Sequence, residues 1–548
     1  MPAPAAEPGS VEPKFHTSGL IRLTRRQTFA TMTGLLLAVL LAALDQTIVG
    51  TAEPRIIAQL SGFDRYPWVS TMYLLSSTLA VPIFAKLSDM YGRKWFFLGG
   101  AVMFVVTSAL CGAAGTMTFL PIDGMNQLIV FRGLQGIGAG TMMGLAFTII
   151  GDVFSPAERG KYTSFFAATW GLASIFGPTL GGWLTDQVSW RAAFYVNLPV
   201  GLIAIATIYW QFPELHPEGV ERKLDWAGVI SLILCIVPLL LALNFVTDYG
   251  WTSVRTESLL AFSALMLLAF LRAEIKAIEP LIPLTLFRNP IISLCSLAVF
   301  LLGMGMFGVI IYLPLFMQGV LGVSATQSGN LLTPLMMGAV AGSVITGQIT
   351  LRLQSYKIAA VVGSILVAAG MILFARMDGA THWRDVIVAM VIGGIGMGLL
   401  QPVYTVAVQN VAPRKYMGAA TASTAFFRSI GSTMGVAVFG SVLLTKYHQD
   451  FESGIPAGTP PGALNLFSNP LRLAQMRDKL DAVFGHTPNG MHLLQTLLVN
   501  VRTGLLHGLQ RVFFASAVIM TLAVILHVAL RDVPLRRHHA AEPEIPVG

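Results

Sequence analysis

What this sequence has little of is charge. Asp, Glu, Lys and Arg make up 11% of its 548 residues, against roughly 25% in soluble domains. Too few charges remain to clothe ordinary globular surfaces. Cysteine is scarce as well. Cys111, Cys235 and Cys295 all fall in or beside apolar runs, which excludes a disulfide framework and leaves three small buried side chains. No HExxH, GxSxG, Walker or CxxC string occurs, so the common signals of metalloprotease, hydrolase, nucleotide or thiol-redox chemistry are missing. The ten histidines sit mostly in tails and loops without metal-ligand spacing. No enzyme, catalytic residue, metal site or cofactor is expected.

What the sequence has is apolar length. Hydrophobic residues reach 54%, and apolar stretches of about 20 residues recur from near Phe29 to near Val528, each enough to cross roughly 30 Å of hydrocarbon. The chain is expected to be all-α and polytopic. Fourteen spans can be drawn. The first is too long for a signal h-region and lacks a convincing cleavage site, so it reads as a retained span. The net charge of +8 does not signal nucleic acid, because the basic residues sit in short loops rather than one patch. With the amino terminus inside, the inner loops hold about 21 Lys or Arg and the outer loops roughly 10, which predicts cytoplasmic termini.

Composition divides the chain. Residues 1–27 and 531–548 read as cytoplasmic tails. Residues 28–213 hold six spans, 214–288 two extra linker spans between charged stretches, and 289–530 six more. The long outer loop, 446–501, has a Pro/Gly-rich middle. Its stretches Leu471–Phe484 and Met491–Val501 alternate apolar and charged residues at helical spacing. They read as amphipathic helices on the outer face, either as packing stripes or in gating or partner binding.

Several polar strings interrupt the spans. Leu44-Asp45-Gln-Thr-Ile-Val-Gly-Thr-Ala-Glu53-Pro54 lies in the first. Ala85-Lys-Leu-Ser-Asp89-Met-Tyr-Gly92-Arg93-Lys94 joins spans two and three. Arg132-Gly-Leu-Gln-Gly136-Ile-Gly138-Ala-Gly140 lies in span four. Ala173–Gly182 reads ASIFGPTLGG, with Gly177, Pro178, Gly181 and Gly182 as its core. Glycine and proline are poor in isolated helices. In a membrane they let helices approach closely while neighbours satisfy the backbone. Ionisable groups inside spans are costly and by default functional. Arg428 in span thirteen either snorkels or lines a cavity.

In order, these strings resemble the D1 motif and motifs A, B and C of the major facilitator superfamily. They resemble in particular its fourteen-span drug:H+ antiporters (the DHA2, EmrB/QacA-like family). The likeness runs from about Arg25 to Leu530, with further strings such as Trp190–Gly201 and Tyr312–Gln318. Ala85 departs from the usual glycine of motif A, and Glu53 from an apolar residue in D1.

The resemblance implies a proton-coupled antiporter that exports amphipathic, cationic small molecules by alternating access. A dedicated exporter of one metabolite, lipid or siderophore is the alternative. It implies proton coupling at Asp45, with Arg132 associated with proton transfer. It also implies a cytoplasmic latch of Asp89, Gly92, Arg93 and Asp152 that breaks as the inner side opens. Glu53 lies about 12 Å along the helix from Asp45. Three readings stand open for it: pairing with Arg55 or Arg65, a second protonatable group, or attraction of cationic cargo. Candidate cavity residues are Tyr73, Trp170, Phe307, Tyr312, Gln318, Gln401, Tyr404 and Phe427. The expected partners are cargo, protons and the bilayer of a plasma or inner membrane. A periplasmic adaptor is left open, and the chain is otherwise expected to be a monomer.

Overall fold

The computed structural model describes residues 24–154, 156–212, 214, 225–277, 280–353, 355–413, 417–459, 464–467, 469–485 and 489–533. Most of both expected tails and of the charged connection 214–223 lie outside these residues. Among the described residues there are helices and turns and no strand.

Helices α1 (Arg25–Leu60), α2 (Tyr66–Tyr91), α3 (Arg93–Gly112), α4 (Gly124–Val153) and α5 (Pro156–Gln187) are followed by a short α6 (Ala192–Tyr195) and α7 (Asn197–Gln211). The pair α8 (Trp226–Tyr249) and α9 (Val254–Lys276) comes next. Then come α10 (Pro290–Leu315), α11 (Ala325–Leu353), α12 (Lys357–Ala375), α13 (Trp383–Val411), α14 (Met417–Ser453), α15 (Arg477–Gly485) and α16 (Gly490–Ala529). Helix starts are marked by side chains that satisfy free backbone N–H groups. Thr24 and Gln27 form a reciprocal capping box on α1, and Asp123, Asp225, Ser253 and Asn289 cap α4, α8, α9 and α10.

Thirteen helices among the described residues are long and apolar enough to cross a membrane. The fourteenth expected span is α5, 32 residues long. Its apolar run is diluted by the Gly, Pro, Ser and Thr of its central string. It nevertheless lies among the others, against α1 and α11.

Helix packing repeats. In the first six-helix set α2 and α3 pack on α4, α5 and α7 on α1, and α7 on α3. In the second, α11 and α12 pack on α13, α14 and α16 on α10, and α16 on α12. The same neighbours recur in the same order, as an internal repeat requires. The two sets meet chiefly through α5 with α11 and α2 with α14, while α8 packs on α9 and touches α14 and α2.

The long loop is shorter than expected. Helix α14 continues to Ser453, and Met491–Val501 forms the first turns of the 40-residue α16 rather than a separate surface helix. A 3-10 stretch, Pro470–Met476, and α15 remain between them. Leu480 and Phe484 of α15 are buried, with Phe467 packed edge-on against Phe484.

Candidate functional site

The first set of helices encloses a polar cluster centred on Asp45, which is 0% exposed. Arg132 on α4 is 2% exposed and its Nη1 donates to Asp45 Oδ2 at 2.5 Å. Gln135 Nε2 donates to Asp45 Oδ1 at 2.8 Å, and Asn197 Nδ2 on α7 to the same oxygen at 3.0 Å. Arg132 also donates to Gln135 Oε1 at 2.8 Å, and its guanidinium lies 4.0 Å from the Tyr73 ring centroid. Asn197 and Ser108 are joined by a 3.0 Å hydrogen bond. A buried carboxylate is tolerable only when paired and hydrogen-bonded. Asp45 has both, and these partners all come from its own half.

Glu53 is different. It too is 0% exposed, but its hydrogen-bond partner is a neutral hydroxyl: Ser70 Oγ donates to its two oxygens at 3.1 and 3.2 Å. It does not pair with Arg55, which faces Asp186 at 4.0 Å, or with Arg65, which donates to Asp123 at 2.9 Å. The surface-pairing reading is thus removed. Glu53 is walled in, so its attraction of cargo also has no open path here.

The helix ends around Glu53 form a seam between the two halves, at the end remote from the chain termini. Tyr66 stacks on Tyr312 across it, with centroids 5.8 Å apart, and Tyr66 Oη donates to the Ile311 carbonyl at 3.2 Å. Gln318, in a π-helical turn after α10, donates to the Thr51 carbonyl at 3.0 Å. Thr326 donates from its backbone N and its hydroxyl to Asp186 Oδ2, at 2.7 and 2.6 Å. From the connection before α15, Asn469 donates to the Ile57 carbonyl at 2.9 Å and Arg472 to Ser61 Oγ at 2.6 Å.

The Gly-rich string of α5 builds this seam. A Cβ on Gly181 would meet the Ile48 carbonyl at 2.6 Å, and one on Gly177 would strike Thr47. These glycines seat α5 on α1. A Cβ on Gly182 would strike the Ala325 carbonyl, and one on Gly329 the Pro178 carbonyl. That reciprocal fit brings α5 and α11 together backbone to backbone.

At the opposite end, Gly92 has φ 104° and ψ 148°, a conformation that L side chains rarely adopt. It turns the chain from α2 into α3. Arg93, 3% exposed, pairs with Asp89, donates to Asp152 at 2.9 Å through Nε and to Ser88 Oγ at 2.8 Å. These groups all belong to the first half. They are joined while the remote seam is closed.

The expected cavity residues divide. Tyr73, Tyr312 and Tyr404 are buried, not cavity-lining: Tyr73 under Arg132, Tyr312 donating to the Val436 carbonyl at 2.7 Å, Tyr404 3.1 Å from His527 Nε2. Tyr312 and Tyr404 thereby satisfy their hydroxyls, as buried tyrosines usually do. Gln318 belongs to the seam. Trp170, Phe307, Gln401 and Phe427 are half-buried. Gln135, Asn197, Ser108 and Ser70 had no assigned role from sequence. Gln135 stands three residues after Arg132 on one helix face, a spacing that could have flagged it. Asn197 has no local signal linking it to Asp45.

Comparison with known proteins bears on the family and the fold. The family model described as Major Facilitator Superfamily matches residues 35–436. Multidrug transporter protein MdtP of Bacillus subtilis (strain 168) is 37% identical over 527 residues, covering 94% of this chain and 95% of that one. Multidrug resistance protein 3 of the same organism is 38% identical over 448 residues, covering 81% and 85%. Among solved structures, a bacterial homolog of the human lysosomal transporter Spinster, inward-facing and unoccupied, is similar with a TM-score of 0.59. At 15% identity, covering 93% of this chain and 100% of that one, it shares the fold.

Proposed function

The chain belongs to the Major Facilitator Superfamily, and from that premise we propose that it exports amphipathic small molecules in exchange for protons. It is a multi-pass membrane transporter and not an enzyme. In the proposed cycle the halves 28–213 and 289–530 rock about a central site, and residues 214–288 ride beside them as linker helices. We place it in a plasma or inner membrane with cytoplasmic termini, acting as a monomer on the proton gradient without a resident cofactor. The seam is then the outer gate, closed here.

The observation that carries this reading is the unequal setting of the two acids on α1. Asp45 is compensated by Arg132, Gln135 and Asn197 within one half. Glu53 has a neutral partner and sits where the halves close on each other. A carboxylate enclosed without a cation is strongly disfavoured. In our reading the gate closes over Glu53 as the neutral acid, and opening lets it exchange its proton with the outside. Asp45 and Arg132 then take the internal proton step. The inferred preference for cationic cargo gains nothing from these acids, because neither is open to a cavity.

Dye export by the full chain in proteoliposomes tests the proposal. Collapse of the pH gradient should stop uphill movement of rhodamine 6G. Asp45→Asn should lower the rate at least about tenfold, a cost of roughly 1.4 kcal/mol. Glu53→Gln should retain dye exchange but lose its response to the gradient. Gradient-independent uphill export by the unaltered protein would sink the coupling.

A further inference from the structure

One more ionisable group within the spans, Arg428, stands apart from Asp45, Glu53 and Arg132. Arg93 and Arg132 each meet a carboxylate. Arg428 has no ion pair among the described residues. Its Nη1 donates to the neutral Gln401 Oε1 at 3.2 Å. It lies about 16 Å from the start of α14, close to the middle of a hydrocarbon layer of roughly 30 Å. It does not snorkel to an interface: its partner is on α13, at a similar depth, and Gln401 Nε2 lies 3.9 Å from Met306 Sδ on α10. Arg428 is nonetheless exposed.

Direction explains how a mid-depth side chain stays open. Helix α14 is covered by α10, α2, α8 and α16, and meets α13 only sparingly. The Arg428 side chain leaves toward α13. Helix α10 beside it reaches α1 of the other half. The guanidinium is thus on the side of α14 turned to α13 and α10, the helix that reaches the other half, where Phe427, Met306 and Phe307 are half-buried.

We infer that Arg428, steadied by Gln401, is a cargo-binding group that receives the acidic end of an amphipathic molecule, a carboxylate or sulfonate. An uncompensated guanidinium at this depth is costly to keep. Its planar fork matches such an anion, and one amide acceptor leaves most of its donors free. Apolar and sulfur-bearing side chains beside it suit the cargo body. The inference rests on the export reading for the identity of the space, and it changes the cargo class that reading started from.

Equilibrium binding, which needs no gradient, separates the two. Fluorescence anisotropy of carboxyfluorescein and of rhodamine 6G is followed with the purified full-length chain. Arg428→Gln should weaken carboxyfluorescein at least about tenfold while tightening rhodamine 6G, and Arg428→Lys should lose less, because it keeps the charge but not the fork. Carboxyfluorescein binding to the unaltered chain should also weaken with salt. Absence of such binding, equal loss of both dyes, or no salt response would overturn the assignment. So would displacement by inorganic phosphate as effective as by the dye, since that marks a simple anion site. Should Arg428→Gln fail to fold, Arg428→Lys and the salt response decide. Binding that persists in a protein unable to export would refute the export reading and leave this site standing.

Discussion

Asp45 and Arg132 sit 87 residues apart in sequence and 2.5 Å apart in space. Either alone would be an ion stranded in hydrocarbon, which is why each attracts attention on sequence grounds. Their relation to Gln135 and Asn197 is what makes the pair stable, since the carboxylate and guanidinium find further partners. Gln135 both donates to Asp45 and accepts from Arg132. Gln135→Leu should therefore destabilise the protein by about 1–3 kcal/mol through the groups left unpaired, read as a lowered melting temperature in detergent. A melting temperature equal to that of the unaltered chain would show the cage to be dispensable. Asp45 and Arg132 were legible because charge in a span is conspicuous, and the Arg93 cluster because its string stands at the turn between two spans. The buried tyrosines were misplaced because an aromatic residue carries no such mark. Its facing depends on helix rotation, and period 3.6 does not settle rotation in a helix that is apolar nearly all round.

At the scale of the element, α5 shows a sequence pattern with a definite mechanical meaning. Its glycines are not loose points. Two of them seat it on α1, and Gly182 with Gly329 allows α5 to touch α11. A larger side chain at Gly182 meets backbone, which has nowhere to move, so Gly182→Leu should hold the seam apart. Thr51, 0% exposed in the closed seam, gives the readout. Thr51→Cys should be slow to react with a membrane-impermeant maleimide, and adding Gly182→Leu should speed labelling severalfold. Equal labelling of the two would mean that the string does not govern closure. The Asn469 and Arg472 contacts act on the same helix ends from the loop side. This strap was only partly legible: amphipathic spacing announced helix over Leu471–Phe484, of which the part before Arg477 is 3-10, and the same signal at 491–501 belonged to a membrane helix whose first turns are amphipathic.

The whole molecule is two similar helical sets closed at one end. The groups implied as an inner latch remain joined within one half while the other end is shut. They join α2, α3 and α4, and the contacts described between the halves at the other end are those of the seam. Asp186 and Thr326, from opposite halves, are in direct hydrogen bonding. A disulfide between Asp186→Cys and Thr326→Cys should fix the closed seam and cut export by more than about tenfold, with recovery on reduction. Undiminished export by the oxidised pair would mean that the halves need not part there.

Membrane class, helix number and the identity of the buried ions were written in composition and spacing, because hydrocarbon permits few alternatives: long apolar helices, few charges, glycine where helices touch. Which acid is caged and which is merely enclosed was a matter for the folded molecule. Asp45 and Glu53 stand eight residues apart on one helix with similar chemistry. Their difference arises from what α2, α4, α7 and α10 bring alongside, and contacts between residues distant in the chain leave no imprint on local pattern. The same holds for Arg428, whose exposure depends on how α13 and α14 pack, which no stretch of sequence contains.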